Sequence, residues 1–347
     1  KSGTVIVMDP KTGEILAQAS APTFDPNVPS SITVDKLNNP SVQEVYEPGS
    51  TGKVITVAAA MEEGLITPET VFSIPYSMKV SDGVFRDHEK HPTQRLTTTG
   101  LLAVSSNTGS IKIGQKLGKD NLYKYLTKFG IGQSTNSKLP GESAGILHPV
   151  KNWSGTSLPT ISFGQGYSLT AMQATSVFAT IANNGVRVKP SILAGVVNES
   201  GKYTPAAANE STRVLSEQTA INMRAMMENV VSKNGTAPSA AINGYRVAGK
   251  TGTAERYNTA CKCYSGYTAS FIGFAPADQP KYVVSVTIQD PKGMHWGGVL
   301  AGPVFKKVMG FVLQNQRISP TPETKTFYSL TEAALKQRSK ITPKSGA

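Results

Sequence analysis

Two extended runs open the chain. Residues 4–9 form a β-branched apolar stretch and residues 14–20 a second one. Between them Asp9-Pro10-Lys11-Thr12-Gly13 supplies turn residues, so the pattern predicts a β-hairpin. From 21 to 48 Pro, Asn and Ser break any period and the stretch reads as irregular. Helical spacing then starts at Ser50, runs through Val54, Val57, Ala58 and Met61, and stops at Gly64. Short strands and turns fill 67–94. Next, Thr97 can cap a helix over 101–104, the polar break Ser105-Ser106-Asn107 interrupts it, and helical patterns resume through Leu117 and over 120–129. Residues 169–184 and 216–231 carry apolar positions at three- and four-residue spacing. Three strands are predicted over 245–253, 268–275 and 282–289, and a helix over 303–313 closes the pattern.

Strands at both ends with helices between them can bury their apolar faces only if one sheet draws on both termini. The fold class expected is therefore α+β, a layered domain with helices around a shared sheet, rather than an alternating doubly wound one. The chain shows no internal repeat.

Composition narrows this further. The 347 residues, 39% hydrophobic, suffice for one large core or two smaller ones. Cys261 and Cys263 are the only cysteines, one residue apart, which excludes a disulfide framework and a four-cysteine zinc site; the Cys-Lys-Cys segment reads as a flexible loop in which a local disulfide remains open. Net charge is 35 − 23 = +12, compatible with nucleic acid, an anionic polymer or an acidic substrate. Aromatics make up only 7%, with no Arg-rich run or zinc finger, so nucleic acid is not the expected partner. Part of the charge lies in residues 316–347, which read as a basic, flexible, solvated tail. No stretch approaches the roughly 18 apolar residues that span a bilayer.

Three short motifs could carry chemistry. Ser50-Thr51-Gly52-Lys53 opens the first long helix, and the spacing of three puts the Lys53 amine on the same face as the Ser50 hydroxyl. Serine is a poor nucleophile without an adjacent base, and lysine is a base only when burial or a second cation keeps its amine neutral. Ser105-Ser106-Asn107 offers polar side chains at a helix break, suited to relaying a proton and holding an amide. Ser134-Thr135-Asn136 and Ser232-Lys233-Asn234 share that pattern and read as loops or caps. Lys250-Thr251-Gly252-Thr253 lies on a predicted strand, where a lysine and two hydroxyls would bind a carboxylate and the glycine admits a close neighbour. Lys11-Thr12-Gly13 repeats three of its letters but sits in the hairpin turn.

One rival shares these residues. Gly244 to Thr251 fits the phosphate-loop pattern, but that loop needs a strand before it and a helix after it, and neither flank qualifies. Asp87-His88-Glu89-Lys90-His91 could be drawn as a metal cluster; two imidazoles in a loop favour a surface segment instead, and no metal or cofactor is expected.

The three motifs occur in the order Ser-x-x-Lys, Ser-x-Asn, Lys-Thr-Gly. Around them stand Tyr46-Glu47-Pro48-Gly49-Ser50, Leu139-Pro140-Gly141-Glu142-Ser143-Ala144-Gly145, Ser162-Phe163-Gly164-Gln165-Gly166, Lys250-Thr251-Gly252-Thr253-Ala254, and Gly297-Gly298 through Ala301-Gly302-Pro303-Val304-Phe305. Over residues 1–315 the chain resembles the transpeptidase domain of class B, division-type penicillin-binding proteins. It departs from the pattern at Gly52, where a bulkier residue is expected, and at the Cys-Lys-Cys loop.

The resemblance implies an antiparallel sheet with helices on both faces and an all-helical subdomain, with a membrane anchor and stalk absent from this chain. It implies a cell-wall crosslinking enzyme acting at the division septum on stem peptides ending in D-Ala-D-Ala. Ser50 would be the nucleophile, Lys53 its base, Ser105 a proton relay, Asn107 a grip on the substrate amide, and Lys250, Thr251, Gly252 and Thr253 the carboxylate-binding strand. β-Lactams would acylate Ser50, and cell-division membrane proteins would be partners. A serine β-lactamase with Glu142 as deacylating base, a β-lactam sensor and the phosphate-loop enzyme stay open as alternatives.

Overall fold

The computed structural model describes residues 2–258, 261–321 and 328–341. At its centre five strands, β1 (Ser2–Met8), β2 (Ile15–Ala21), β3 (Ala248–Asn258), β4 (Cys263–Ala275) and β5 (Tyr282–Gln289), form an antiparallel sheet in the order β3-β4-β5-β1-β2. The junction between the two ends of the chain is β1 against β5, in register from Ser2 opposite Gln289 to Met8 opposite Val283. Asp9 closes the first hairpin, its carboxylate accepting the Lys11 N–H at 2.7 Å. The structure thus has the mixed α+β class and the shared sheet that the apolar pattern predicts.

The helices that bear on the site and the core are α1 (Lys53–Glu62), α2 (Thr98–Ala103), α3 (Asn107–Leu117), α4 (Lys119–Lys128), α5 (Ala171–Ala182), α6 (Glu217–Glu228), α7 (Gly297–Asn315) and α8 (Glu332–Ile341). The pleat sends Ile6, Met8, Ile272, Phe274 and Val283 into one core, shared with α1 and α5. Their neighbours Val7, Phe271, Val284 and Val286 enter a second core on the opposite face, under Phe305, Met309 and Leu313 of α7. The rings of Phe271 and Phe305 meet edge to face at 4.7 Å; such a pair contributes about 1 kcal/mol beyond its burial. Caps expected from sequence are in place: Thr97 Oγ1 accepts the Gly100 N–H at 3.0 Å, and Thr170 forms a reciprocal capping box with Gln173 ahead of α5.

Two expectations need correction. Helix α7 begins at Gly297, six residues before Pro303. A Cβ on Gly297 would stand 2.3 Å from the carbonyl oxygens of Gly252 and Ser270, so the helix starts by pressing its backbone onto β3 and β4, a tertiary contact that local propensity does not register. Residues 316–321 and 328–341 are not a solvated flexible tail. Tyr245 Oη donates to Ile318 O at 2.6 Å, Thr97 Oγ1 to Ser329 O at 2.6 Å and the Thr97 N–H to Leu330 O at 3.1 Å. Arg95 pairs with Glu332 at 3.0 Å and Arg338 with Glu69 at 2.6 Å. The compensating hydrogen-bond and charge partners lie far away in sequence, so composition made the segment look unpartnered. The rest of that expectation falls on 322–327 and 342–347, outside the described residues.

Candidate active site

Ser50 occupies a single 3-10 turn, Gly49–Gly52, that feeds directly into α1. Gly49 has a φ of +52°, and a Cβ there would lie 3.0 Å from both Thr253 O and Ala254 Cβ. A Cβ on Gly252 would lie 2.9 Å from Pro48 O. A glycine on each side of the contact therefore lets the Ser50 turn rest on the strand that carries Lys250, Thr251 and Thr253.

Lys53 and Lys250 are both fully buried, an unusual state for two ammonium-bearing side chains. They converge on Ser105. The Lys53 amine donates to Ser105 O at 2.5 Å, Asn107 Oδ1 at 2.7 Å and Ser105 Oγ at 3.2 Å. The Lys250 amine donates to Ser105 Oγ at 2.9 Å and Thr251 Oγ1 at 3.2 Å. A hydroxyl has two lone pairs and one proton, so Ser105 Oγ accepts both amines and keeps its own proton to give. Among the described residues all hydrogen bonds of the Lys53 amine go to Ser105 and Asn107. The expected reach from Lys53 to the Ser50 hydroxyl is not made as a hydrogen bond in this state.

Burial decides the charge state. It brings the Lys53 pKa down from 10.5 to about 7, with Asp87 pulling the other way. Lys250 is pushed well below the ordinary lysine value by burial first and by Lys53 second. A neutral amine is thus available near neutral pH beside Ser105.

Local structure explains how Ser105 comes to serve both lysines. Helix α2 ends with Ser105 at a φ of +63°. The Ser106 N–H bonds to Leu101 O at 2.9 Å and the Ser105 N–H to Leu102 O at 3.3 Å, the paired bonds of a Schellman end whose left-handed position usually holds glycine. A serine there carries a strain of about 1–3 kcal/mol and persists only where its surroundings enforce it.

Asp87 supplies that enforcement. Its carboxylate accepts the Asn107 N–H at 2.5 Å, Ser106 Oγ at 2.7 Å, the Thr108 N–H at 2.9 Å and His91 Nε2 at 3.1 Å. An anion at the N-terminus of α3 also meets the favourable end of the helix dipole. The expectation of a surface segment for 87–91 therefore fails at Asp87, which ties this loop to the Ser-x-Asn segment. Among the described residues no group of His, Cys, Asp and Glu is arranged to hold a metal.

Ser105, Thr251 and Thr253 open on a cavity of about 560 Å³ that Asp87, His88, Thr236 and Trp296 also line. Thr236 and Thr251 share a hydrogen bond at 2.8 Å, and the Gly297 N–H donates to Thr253 Oγ1 at 3.1 Å. The sequence pattern gave no sign of Trp296, placed Asp87 in a surface segment, and hinted at Thr236 only through the discounted Ser232-Lys233-Asn234 segment.

The remaining candidates settle elsewhere. Lys11-Thr12-Gly13 is the hairpin turn. Ser134 and Thr135 belong to a loop that wraps Glu142, whose carboxylate accepts from Ser134 Oγ at 2.9 Å, from the Thr135 N–H at 2.6 Å and from Thr135 Oγ1. Lys250 continues into strand rather than helix, which removes the phosphate-loop reading. Cys261 and Cys263 are joined as a disulfide.

Residues 3–310 match the family model for the penicillin binding protein transpeptidase domain. The chain is 40% identical over 334 residues to penicillin-binding protein PbpB of Mycolicibacterium smegmatis, covering 93% of this chain and 52% of that protein. It is 35% identical to peptidoglycan D,D-transpeptidase FtsI of Escherichia coli, covering 92% and 52%. Penicillin-binding protein 3 from Mycobacterium tuberculosis, solved in complex with ampicillin, superposes with a TM-score of 0.88 at 37% identity, over 93% of this chain and 74% of that one. The chain spans about half the length of the curated relatives it matches.

Proposed function

The chain belongs to the penicillin-binding protein transpeptidase family, and from that premise we propose that it crosslinks peptidoglycan through an acyl-serine at Ser50. The observation that carries this reading is the buried Lys53 amine, held near a pKa of about 7 and fixed by Ser105 and Asn107 one helical turn from Ser50.

Ser50 Oγ attacks the carbonyl carbon of the penultimate D-Ala and gives its proton to Lys53 Nζ. The oxyanion is met by the backbone N–H groups of Ser50 and Thr253. As the intermediate collapses, the C–N bond breaks, Ser105 passes a proton to the departing D-Ala amine, and Lys53 restores the Ser105 proton. An amine from a neighbouring stem peptide then attacks the ester carbonyl, loses its proton to the same relay and regenerates Ser50. Lys250, Thr251 and Thr253 bind the terminal carboxylate, with Gly252 allowing the Ser50 turn to approach. Asn107 serves first to hold Lys53; gripping a substrate amide as well requires its Nδ2 to release Arg86 O, now 2.9 Å away.

A β-lactam presents an acyl carbon to the same serine and remains attached. The β-lactamase alternative loses its base, because Glu142 is engaged by the loop around it. No helix among the described residues is long and apolar enough to cross a membrane. We place the domain on the outer face of the cytoplasmic membrane, tethered to it and working with division proteins at the septum. Incubation with a fluorescent penicillin followed by peptide mapping tests the reading. A lasting adduct on Ser50, absent from Ser50→Ala, is expected; a label elsewhere, or one released within minutes, refutes it.

A further inference from the structure

The segment behind the Ser50 turn is laced to it. The Gly49 N–H donates to Gly164 O at 2.8 Å, the Gly166 N–H to Glu47 Oε1 at 3.0 Å, and Thr56 Oγ1 to Ser162 O at 2.9 Å. Within the turn, Gly52 has φ −68° and ψ −21°, right-handed helical values open to any L residue. Its lack of a side chain is therefore not a backbone requirement.

Space supplies the reason. A Cβ on Gly52 would stand 2.4 Å from Tyr167 Oη, 2.9 Å from Gly164 Cα and 3.2 Å from Pro48 Cγ. Tyr167 is 2% exposed, and its hydroxyl has no hydrogen-bond partner among the described residues. A buried hydroxyl without a partner is unfavourable, so this phenol is held by shape, with its tip against the glycine. Burial, and Glu47 after it, raises its pKa and keeps it neutral.

We propose that Tyr167 is a positioning residue for Ser50: its hydroxyl reaches in from the neighbouring segment and fills the volume that a side chain at position 52 would occupy. The inference rests on Ser50 as the nucleophile. It accounts for the departure at Gly52, since a turn weakened by glycine is stiffened by a phenol packed on it. A nucleophile whose turn relaxes loses rate steeply with displacement.

A double-mutant cycle tests it. The parent, Gly52→Ala, Tyr167→Phe and the double variant are acylated with a fluorescent penicillin in single turnover, resolved into the rate at saturation and the half-saturating concentration, alongside thermal unfolding. Gly52→Ala is expected to lower the saturating rate about tenfold or more beside Tyr167 and about threefold or less in the Tyr167→Phe background. The half-saturating concentration should hold, because the cavity lining is untouched; a purely structural loss would not confine itself to the rate. Equal factors in both backgrounds overturn the proposal, as does a Gly52→Ala protein that reacts at the parent rate. If Gly52→Ala does not fold, a cooperative unfolding transition regained in the double variant supports the packing, and none regained overturns it. A parent protein that forms no adduct at Ser50 refutes the assigned function instead, and the midpoints still report whether positions 52 and 167 are coupled.

Discussion

Asp87→Asn keeps the shape of a side chain that anchors the Ser-x-Asn loop and removes its charge. The carboxylate accepts two backbone N–H groups and the Ser106 hydroxyl within 2.9 Å. Charge-assisted bonds are roughly twice as strong as neutral ones, so each should weaken by about 0.5–1 kcal/mol. Loss of an anion at the start of α3 adds about 0.3–1 kcal/mol. The sum, about 2–4 kcal/mol, corresponds to a melting point lower by about 3–5 °C in a chain of this size. A second consequence has a definite sign. Asp87 raises the Lys53 pKa against the stronger effect of burial, so without it Lys53 should titrate below its present value of about 7. In the proposed mechanism acylation needs the neutral amine, so its acid limb should move to lower pH even as the plateau falls with the disturbed loop. Thermal unfolding and pH-resolved acylation by a fluorescent penicillin measure both. An unchanged melting point, or an acid limb that stays put or moves to higher pH, refutes this role for Asp87.

Three further outcomes are expected. Glu228→Gln removes the charge that Arg246 meets at 2.6 and 2.9 Å in a largely buried pair; it should cost about 3 kcal/mol, read by denaturant unfolding. Gly100→Ala places a Cβ 1.9 Å from Leu330 O and should release 328–341 from the helical lobe, seen as faster amide exchange there, with the central sheet still protected. Glu142→Gln should leave the lifetime of the acyl adduct unchanged, because this carboxylate binds its own loop; a longer lifetime would reinstate it as a deacylating base.

The sheet was legible because its pattern is simple. Alternating apolar residues at both ends could be buried only together, and Val283 and Val286 do lie on opposite faces beside β1 and β4. The motif residues were legible as residue types at helical or strand spacing. Their mutual geometry was not: that Ser105 would take a left-handed backbone and receive both lysines depends on Asp87, 18 residues upstream, in a loop that carries no local signal of burial. The docked segment after 328 did carry one. Thr331 followed by Glu332, with Lys336 four residues on, is a helix start with an i,i+4 pair, but its basic composition drew the reading toward a solvated tail. Tyr167 could not be tied to Gly52 from sequence, since the contact spans 115 positions and leaves no period.

Whether a neutral Lys53 activates Ser50 is tested most directly by the pH dependence of Ser50 acylation in the parent and in Lys53→Met. The parent should lose about tenfold in rate for each pH unit below 7, and Lys53→Met should be slower by about a thousandfold with that limb gone. A Lys53→Met protein that acylates Ser50 at the parent rate, with the same limb, would contradict the mechanism.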